Sequence, residues 1–317
     1  MIRSKRSGQT IAAATAAFSS CLVLAACGGG GEKKASTATT PGSTTSLPTA
    51  PAKPPTKKQT AELKAKNDRS FDPKNFGSNP ARGATKFQPT KPGLQLVSEG
   101  HLNRGHRQLV HRRVLTVTDV TKKIDGVRAV ATLDQDFDGG QLAEQAIDWV
   151  AESKTGTLWY LGSYTEAYEG GQFVNATDGW LAGVNTAKPG ILMPGDPHVG
   201  LSVLQATFPG EAPTPAEVIK MGVKKCVPFK CYKGVAVIQE GGGDGGEWKY
   251  FAPGVGQILT EPKYSGGEQE TELLVNATEL SSKGLAEISN EALKVDRHAA
   301  QVIPSVFGPS ARAKRTL

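Results

Sequence analysis

From Val114 onward the chain alternates apolar and polar residues in short runs separated by turn residues, a pattern of strands. Val114 to Val120 is rich in β-branched residues and has a two-residue period. Val127, Ala129, Ala131 and Leu133 repeat that period after Asp125-Gly126, which predicts a hairpin. Leu142 to Ala151 is open. Leu142, Ala146, Trp149 and Val150 suit a helix, whereas Ala143, Ile147, Trp149 and Ala151 suit a strand. Thr157 to Tyr164 predicts an aromatic strand between turns at Thr155-Gly156 and Gly170-Gly171. Thr214 to Met221 predicts a short helix, with Thr214 as cap, Pro215 at the first helical position and Glu217 at the third. Further strands are expected at Gly234 to Gln239, Glu247 to Phe251, Gly256 to Thr260 and Thr271 to Val275. A closing helix runs from about Ser281 to His298, with Leu285, Ile288, Ala292 and Val295 on one face. The fold class is therefore mainly β: one curled antiparallel sheet or half-barrel with a C-terminal helix.

The N-terminus follows another pattern. Arg3, Lys5 and Arg6 precede an apolar, small-residue run from Ile11 to Ala26. A spanning helix needs about 20 apolar residues, and Thr15, Ser19 and Ser20 interrupt this one, so it reads as an export signal over residues 1–26. Leu24-Ala25-Ala26-Cys27 resembles the lipobox of bacterial lipoproteins. The resemblance implies cleavage before Cys27, a diacylglycerol on its sulfur and an acyl chain such as palmitate on its new amine. One acyl chain holds a protein only marginally and two or more hold it firmly. Residues 27–66 are Gly, Thr, Ser, Pro, Lys and Ala with almost nothing to bury, which predicts a disordered tether. A single domain is expected over 67–300, with Phe71, Phe76 and Phe87 pinning its polar entry segment, and a polar basic tail over 301–317.

Net charge of the whole chain is +7, yet residues 67–317 carry 27 basic and 28 acidic side chains. The excess lies in the signal and the tether, so nucleic acid is not an expected partner. A basic tether beside a bilayer favours anionic lipid or wall polymer. Of four cysteines, Cys21 leaves with the signal and Cys27 takes the lipid, leaving Cys226 and Cys231 as an expected disulfide outside the cytoplasm.

Four blocks, Gly156-Thr-Leu-Trp-Tyr-Leu-Gly162, Gly179-Trp-Leu-Ala-Gly183, Pro189-Gly-Ile-Leu-Met-Pro194 and Lys249-Tyr-Phe-Ala-Pro-Gly-Val-Gly256, resemble those of an uncharacterised family of secreted, mostly actinobacterial proteins. The likeness covers roughly Gly83 to Ala300. The last block is also similar to strands of LolA-like half-barrel lipoproteins. The family brings no activity, and a shared fold does not imply a shared function.

Candidate chemistry is sparse. Asp134-Gln-Asp-Phe-Asp-Gly139 begins as an EF-hand calcium loop begins, with Asp134, Asp136 and Asp138 as ligands, but Gln145 stands where a bidentate Glu is expected. The competing reading is a solvated hairpin turn. His101, His106 and His111, spaced by five, share no face of a helix or a strand, so no histidine metal site is expected there; His198 and His298 lack evident partners. Gly241 to Gly246 satisfies G-x-G-x-x-G but precedes a strand, so it reads as a loop. Asp148 and Glu152 read as surface charges. No catalytic residue stands out, and a non-enzyme is favoured over a hydrolase whose site is not recognised. Three of the four tryptophans lie within a 32-residue aromatic block, Trp149 to Trp180. Trp149, Trp159, Tyr160, Trp180, Trp248 and Phe251 either line an apolar ligand pocket or fill a core. The leading expectation is a membrane-anchored, extracytoplasmic binding module for an apolar or amphipathic ligand, with no cofactor beyond a calcium ion at the Asp run. The alternative is an envelope protein with a filled core that docks a protein partner.

Overall fold

The computed structural model describes residues 56–317 except 84, 105–106, 212, 242–245 and 264–268. Cys27, the export signal and the tether up to residue 55 lie outside the described residues, as do His106 and the middle of the Gly241–Gly246 run.

Strands β1 (Leu94–Arg104), β2 (Arg107–Ile124), β3 (Val127–Asp138), β4 (Gln141–Glu152), β5 (Leu158–Glu169) and β6 (Gln172–Leu181) form one meander. After β7 (Gly190–Met193) and β8 (Ser202–Ala206) come β9 (Thr214–Cys226), β10 (Cys231–Glu240), β11 (Glu247–Ala252), β12 (Gly256–Pro262) and β13 (Gln269–Glu279). β1 and β13 pair antiparallel, which fuses both halves into one sheet of order β6-β5-β4-β3-β2-β1-β13-β12-β11-β10-β9-β8. The Asp125-Gly126 turn sets the β2–β3 register, with both residues at positive φ. Residues of β1, β5, β8 and β11, distant in that order, line one cavity, so the sheet curls. Among the described residues its two ends are joined by no continuous ladder. β7 pairs with β5 and lies against β8, where Lys188 donates to the Thr207 carbonyl at 2.9 Å. Gly190 permits that approach, because a Cβ there would fall 1.8 Å from the Gln205 carbonyl oxygen.

Each face of the curl has its own core. On the outer face Val120, Ala131, Leu133, Ile147 and Trp149 pack beneath helix α2 (Ser282–Val302). That helix is capped by Ser281, whose hydroxyl accepts from Gly284 N–H, and it buries Ser289, Ala292, Val295 and Ala299 at three- and four-residue spacing. On the inner face Val117, Val130, Val150, Leu158 and Phe251 meet Val218, Ala236 and Ile238. Burying a large apolar side chain contributes roughly 1.5–3 kcal/mol, so both faces are needed to hold so wide a sheet. The mainly β architecture with a closing helix is as expected.

Several elements depart from expectation. Leu142 to Ala151 is strand β4, which settles its ambiguity. Thr214 to Met221 is strand, not helix: Ala216 and Val218 alternate into the inner core, and this outweighs the cap-like Thr-Pro. A register shift beside Leu204 and Pro215 accommodates the proline. The tether expected to reach residue 66 gives way at Lys57 to helix α1 (Lys57–Ser70). Thr56 and Gln59 cap each other reciprocally, and Asn67 Nδ2 donates to the Leu204 carbonyl at 2.7 Å. The expected tail over 301–317 is part of the domain. Helix α3 (Pro304–Phe307) buries Val306 and Phe307, and β14 (Lys314–Arg315) pairs with Val120 and Thr121 of β2, beyond the reach of β1. Arg315 forks onto Asp119 at 2.9 and 2.7 Å.

Candidate functional site

The inner face carries two adjoining features. The first is a cavity of about 230 Å³. Leu94, Leu96, Leu115, Val150, Leu158, Leu192 and Phe251 form its apolar wall, and Arg113, Asp148, Tyr160, Gln205, Glu240 and Lys249 give it a polar end. Tyr160 and Ser163 donate to Asp148 at 2.6 and 2.8 Å. Burial pushes the Asp148 carboxyl upward and those two hydrogen bonds pull against it. Lys249 Nζ is 2.8 Å from Glu240 Oε2. Burial would depress the Lys249 ammonium, but Glu240 and Glu247 hold it above its ordinary range, so it stays charged.

The second feature is a charged cluster beside the cavity, and Arg113 stands at the boundary. Its Nε lies 2.9 Å from Asp134 Oδ1 and its Nη1 3.3 Å from Glu272 Oε2. Two residues earlier on β2, hence on the same face, His111 is 3% exposed. Its Nδ1 lies 2.9 Å from Asp138 Oδ1. Its Nε2 abuts Glu270 Oε1 and lies 3.7 Å from Asp136 Oδ1 and 3.6 Å from Glu272 Oε1. Nε2 is buried without a hydrogen bond of proper geometry, and so is Asp136 Oδ1. β2, β3 and β13 supply these groups, and β1 runs between β2 and β13. Gly100 of β1 is register-paired with His111 on one side and Glu272 on the other, so no side chain separates them.

Acid predominates here. Burial, with Asp134, Glu272 and Glu270 nearby, raises the Asp136 carboxyl well above its ordinary value against the pull of Arg113. Burial, Asp134 and Glu270 push Glu144 up to about 7. Burial also works to raise Glu272, but Arg113, His111 and Lys249 outweigh it and bring it to about 2. For His111 burial disfavours the cation, but the hydrogen bond to Asp138 and the carboxylates of Glu270 and Glu272 beside Nε2 prevail and push it up to about 12.

Residues named from the sequence are distributed differently from the expectation. Tyr160 and Phe251 line the cavity. Trp149 and Trp180 belong to the outer core, where Trp180 stacks on Phe208 at 5.3 Å. Trp159 meets Phe71 at 5.2 Å and Phe76 at 6.4 Å. Trp248 lies on the face of β11 opposite Lys249 and Phe251. The aromatic block is thus mostly core. Asp134 to Asp138 is neither calcium loop nor turn but the end of β3. Alternate aspartates there are spaced about 6.6 Å along one face instead of wrapping one point. They divide their partners, Asp134 to Arg113 and Asp138 to His111. His101 is exposed on β1, and His298 pairs with Glu166 at 2.5 Å. Asp148 and Glu152 are not surface charges, since Asp148 faces the cavity and Glu152 is wholly buried. The Cys226–Cys231 disulfide is formed, at the turn between β9 and β10. His111, Glu270 and Glu272 were missed because their partners lie on separate strands. The available signals were two-residue spacings, His111 with Arg113 and Glu270 with Glu272, which place like chemistry on one strand face.

No protein-family model matches the chain, and no curated protein matches it. Two solved structures are similar. One is a protein from Bacteroides fragilis described as exported, with a YmcC-like fold: 11% identical, TM-score 0.35, covering 62% of this chain and all of its own. The other is a protein from Parabacteroides distasonis described as a lipoprotein: 12% identical, TM-score 0.34, covering 61% of this chain and 99% of its own. A likeness of this degree decides neither family nor function.

Proposed function

We propose that the chain is an extracytoplasmic lipoprotein, held to a membrane by lipid on Cys27, whose curled sheet binds a small amphipathic molecule. The observation that carries the binding role is the cavity, with an apolar wall and a charged end, on the inner face of the sheet. Its size narrows the ligand class. Small-molecule sites run from roughly 300 to 1,000 Å³, and about 230 Å³ suits one short apolar group with a polar head, not a whole lipid. Arg113 and Lys249 would face an anionic head; Asp148 and Glu240 would take donors. The open volume favours this reading over a filled core that serves only as a docking surface. The anchor rests on the Leu24–Cys27 motif and the basic, apolar segment before it.

Native mass spectrometry of a Cys27→Ser chain purified without detergent tests the cavity. A reproducible small-molecule adduct, lost in a Val150→Trp variant that fills the space, is expected. A bare mass for both forms would sink the binding role. Cell fractionation tests the anchor: the natural chain should sediment with membranes and Cys27→Ser should not.

A further inference from the structure

We infer that His111, Asp136, Glu270 and Glu272 form a binding site for a divalent first-row transition ion of the zinc type. His111 has a side chain 4% exposed, and its Nε2, without a properly formed hydrogen bond, points into the space where three carboxylates converge. Potential ligand atoms from the four residues all lie within 4.8 Å of one another. Tetrahedral zinc has bonds of about 2.0–2.1 Å to N and O, which sets ligand atoms about 3.3–3.4 Å apart. The separations of 3.7 and 3.6 Å from Nε2 to Asp136 and Glu272 are already near that figure. Glu270, which now abuts Nε2, has to draw back by about an ångström. It is the most exposed of the four and so the freest to move.

The surrounding groups complete the arrangement. A metal-bound histidine nearly always gives its other ring nitrogen to a carboxylate, which fixes the tautomer and aims the ring. Asp138, 2.9 Å from Nδ1, stands in that place. Arg113 cannot serve as the cation for the whole cluster, since its guanidinium is taken up by Asp134 and one oxygen of Glu272. Gly100 keeps β1 from placing a side chain between His111 and Glu272. One nitrogen among three carboxylates separates the site from calcium and magnesium centres, which are built from oxygen alone. The site also differs from a calcium loop over Asp134 to Asp138, of which it keeps only Asp136 as ligand. It does not depend on whether the cavity holds an organic ligand.

The test is a zinc titration of the purified full chain after chelator treatment, read by competition with a fluorescent zinc indicator. One zinc per chain is expected. Asp138→Asn should weaken binding by about 10- to 100-fold, as loss of the carboxylate that holds a metal-bound imidazole by its other nitrogen does. His111→Gln and Glu270→Gln should weaken it further, and His198→Gln, at an exposed surface histidine, should leave it unchanged. Glu270→Gln guards against misfolding, because that carboxylate is the least buried of the four. The inference is overturned if the natural chain takes up no zinc. It is equally overturned if folded His111→Gln and Glu270→Gln both retain natural affinity, or if calcium competes on equal terms with zinc.

Discussion

The outer face contains a charge pair whose removal should discriminate sharply between burial and exposure. Lys122 of β2 and Asp296 of α2 have side chains only 2% and 9% exposed, with Nζ 2.5 Å from Oδ1. The ammonium also donates to Ser310 Oγ at 3.1 Å and lies 5.2 Å from the Trp149 ring centroid. Asp296→Ala would leave that cation under α2 with one neutral acceptor and two aromatic faces. Breaking a buried pair on one side costs about 3–5 kcal/mol, whereas replacing both charges by apolar groups of similar volume is often neutral or better. Asp296→Ala should therefore lower stability by about 3–5 kcal/mol. Lys122→Met with Asp296→Leu should restore most of that loss, because Met can lie along the same Trp149 and Phe307 surfaces. Urea unfolding followed by circular dichroism, extrapolated linearly to water, measures each variant, and an unchanged m-value shows that the folded state keeps its compactness. A loss of less than about 1 kcal/mol for Asp296→Ala, the scale of an exposed pair, would refute the reasoning. So would a double variant no more stable than Asp296→Ala alone.

Three further outcomes follow from the same structure. Replacing Cys226 and Cys231 by Ser should cost about 2 kcal/mol, the chain-entropy value for so short a loop, with the unfolding midpoint as readout. Trp149→Ala should cost about 3–5 kcal/mol while leaving any cavity adduct in the mass spectrum, because Trp149 packs in the outer core; Tyr160→Phe, which removes a donor from Asp148, should change the adduct with little loss of stability. Burial and Glu166 raise the Tyr164 hydroxyl, and burial and Glu261 raise that of Tyr250. Their folded pKa values exceed the unfolded value of about 10, so stability is fully present below that pH and falls as pH rises past it. Melting temperature against pH, with tyrosinate absorbance as monitor, should show ionisation coinciding with unfolding; tyrosines that titrate freely near pH 10 in the folded chain would contradict this.

The sheet was legible where one face of a strand is apolar and the turn chemistry is strong. Val127, Ala129, Ala131 and Leu133 all point beneath α2, and Asp125-Gly126 can adopt little except the turn it makes. The helix expected over Thr214 to Met221 failed for an equally local reason. Thr-Pro-x-Glu is a good helix start, but a helix there would have withdrawn Ala216 and Val218 from the inner core and left β8 and β10 unpaired at their shared edge. The closing segment failed because its charge was read as solvation. Arg315 and Lys122 look like surface residues until Asp119 and Asp296, distant in sequence, come into place beside them.

The same mistake, repeated on the inner face, concealed the candidate site. In a flat antiparallel sheet the polar half of each alternation faces water, so the alternate aspartates Asp134, Asp136 and Asp138 suggest a calcium loop or a solvated turn, and Glu270-x-Glu beside the strand from Thr271 gives no signal of its own. Curling changes the meaning of that half. On a concave face the polar residues of neighbouring strands are turned toward one another, and water that would have solvated them is displaced. Their number then exceeds that of the fixed cations: Arg113 and Lys249 stand among Asp134, Asp136, Asp138, Glu144, Glu270 and Glu272. Such a surplus is costly to bury unless something offsets it. The single histidine among these acids, with Asp138 on its outer nitrogen and three carboxylates around its inner one, gives a bound cation the place from which to do so.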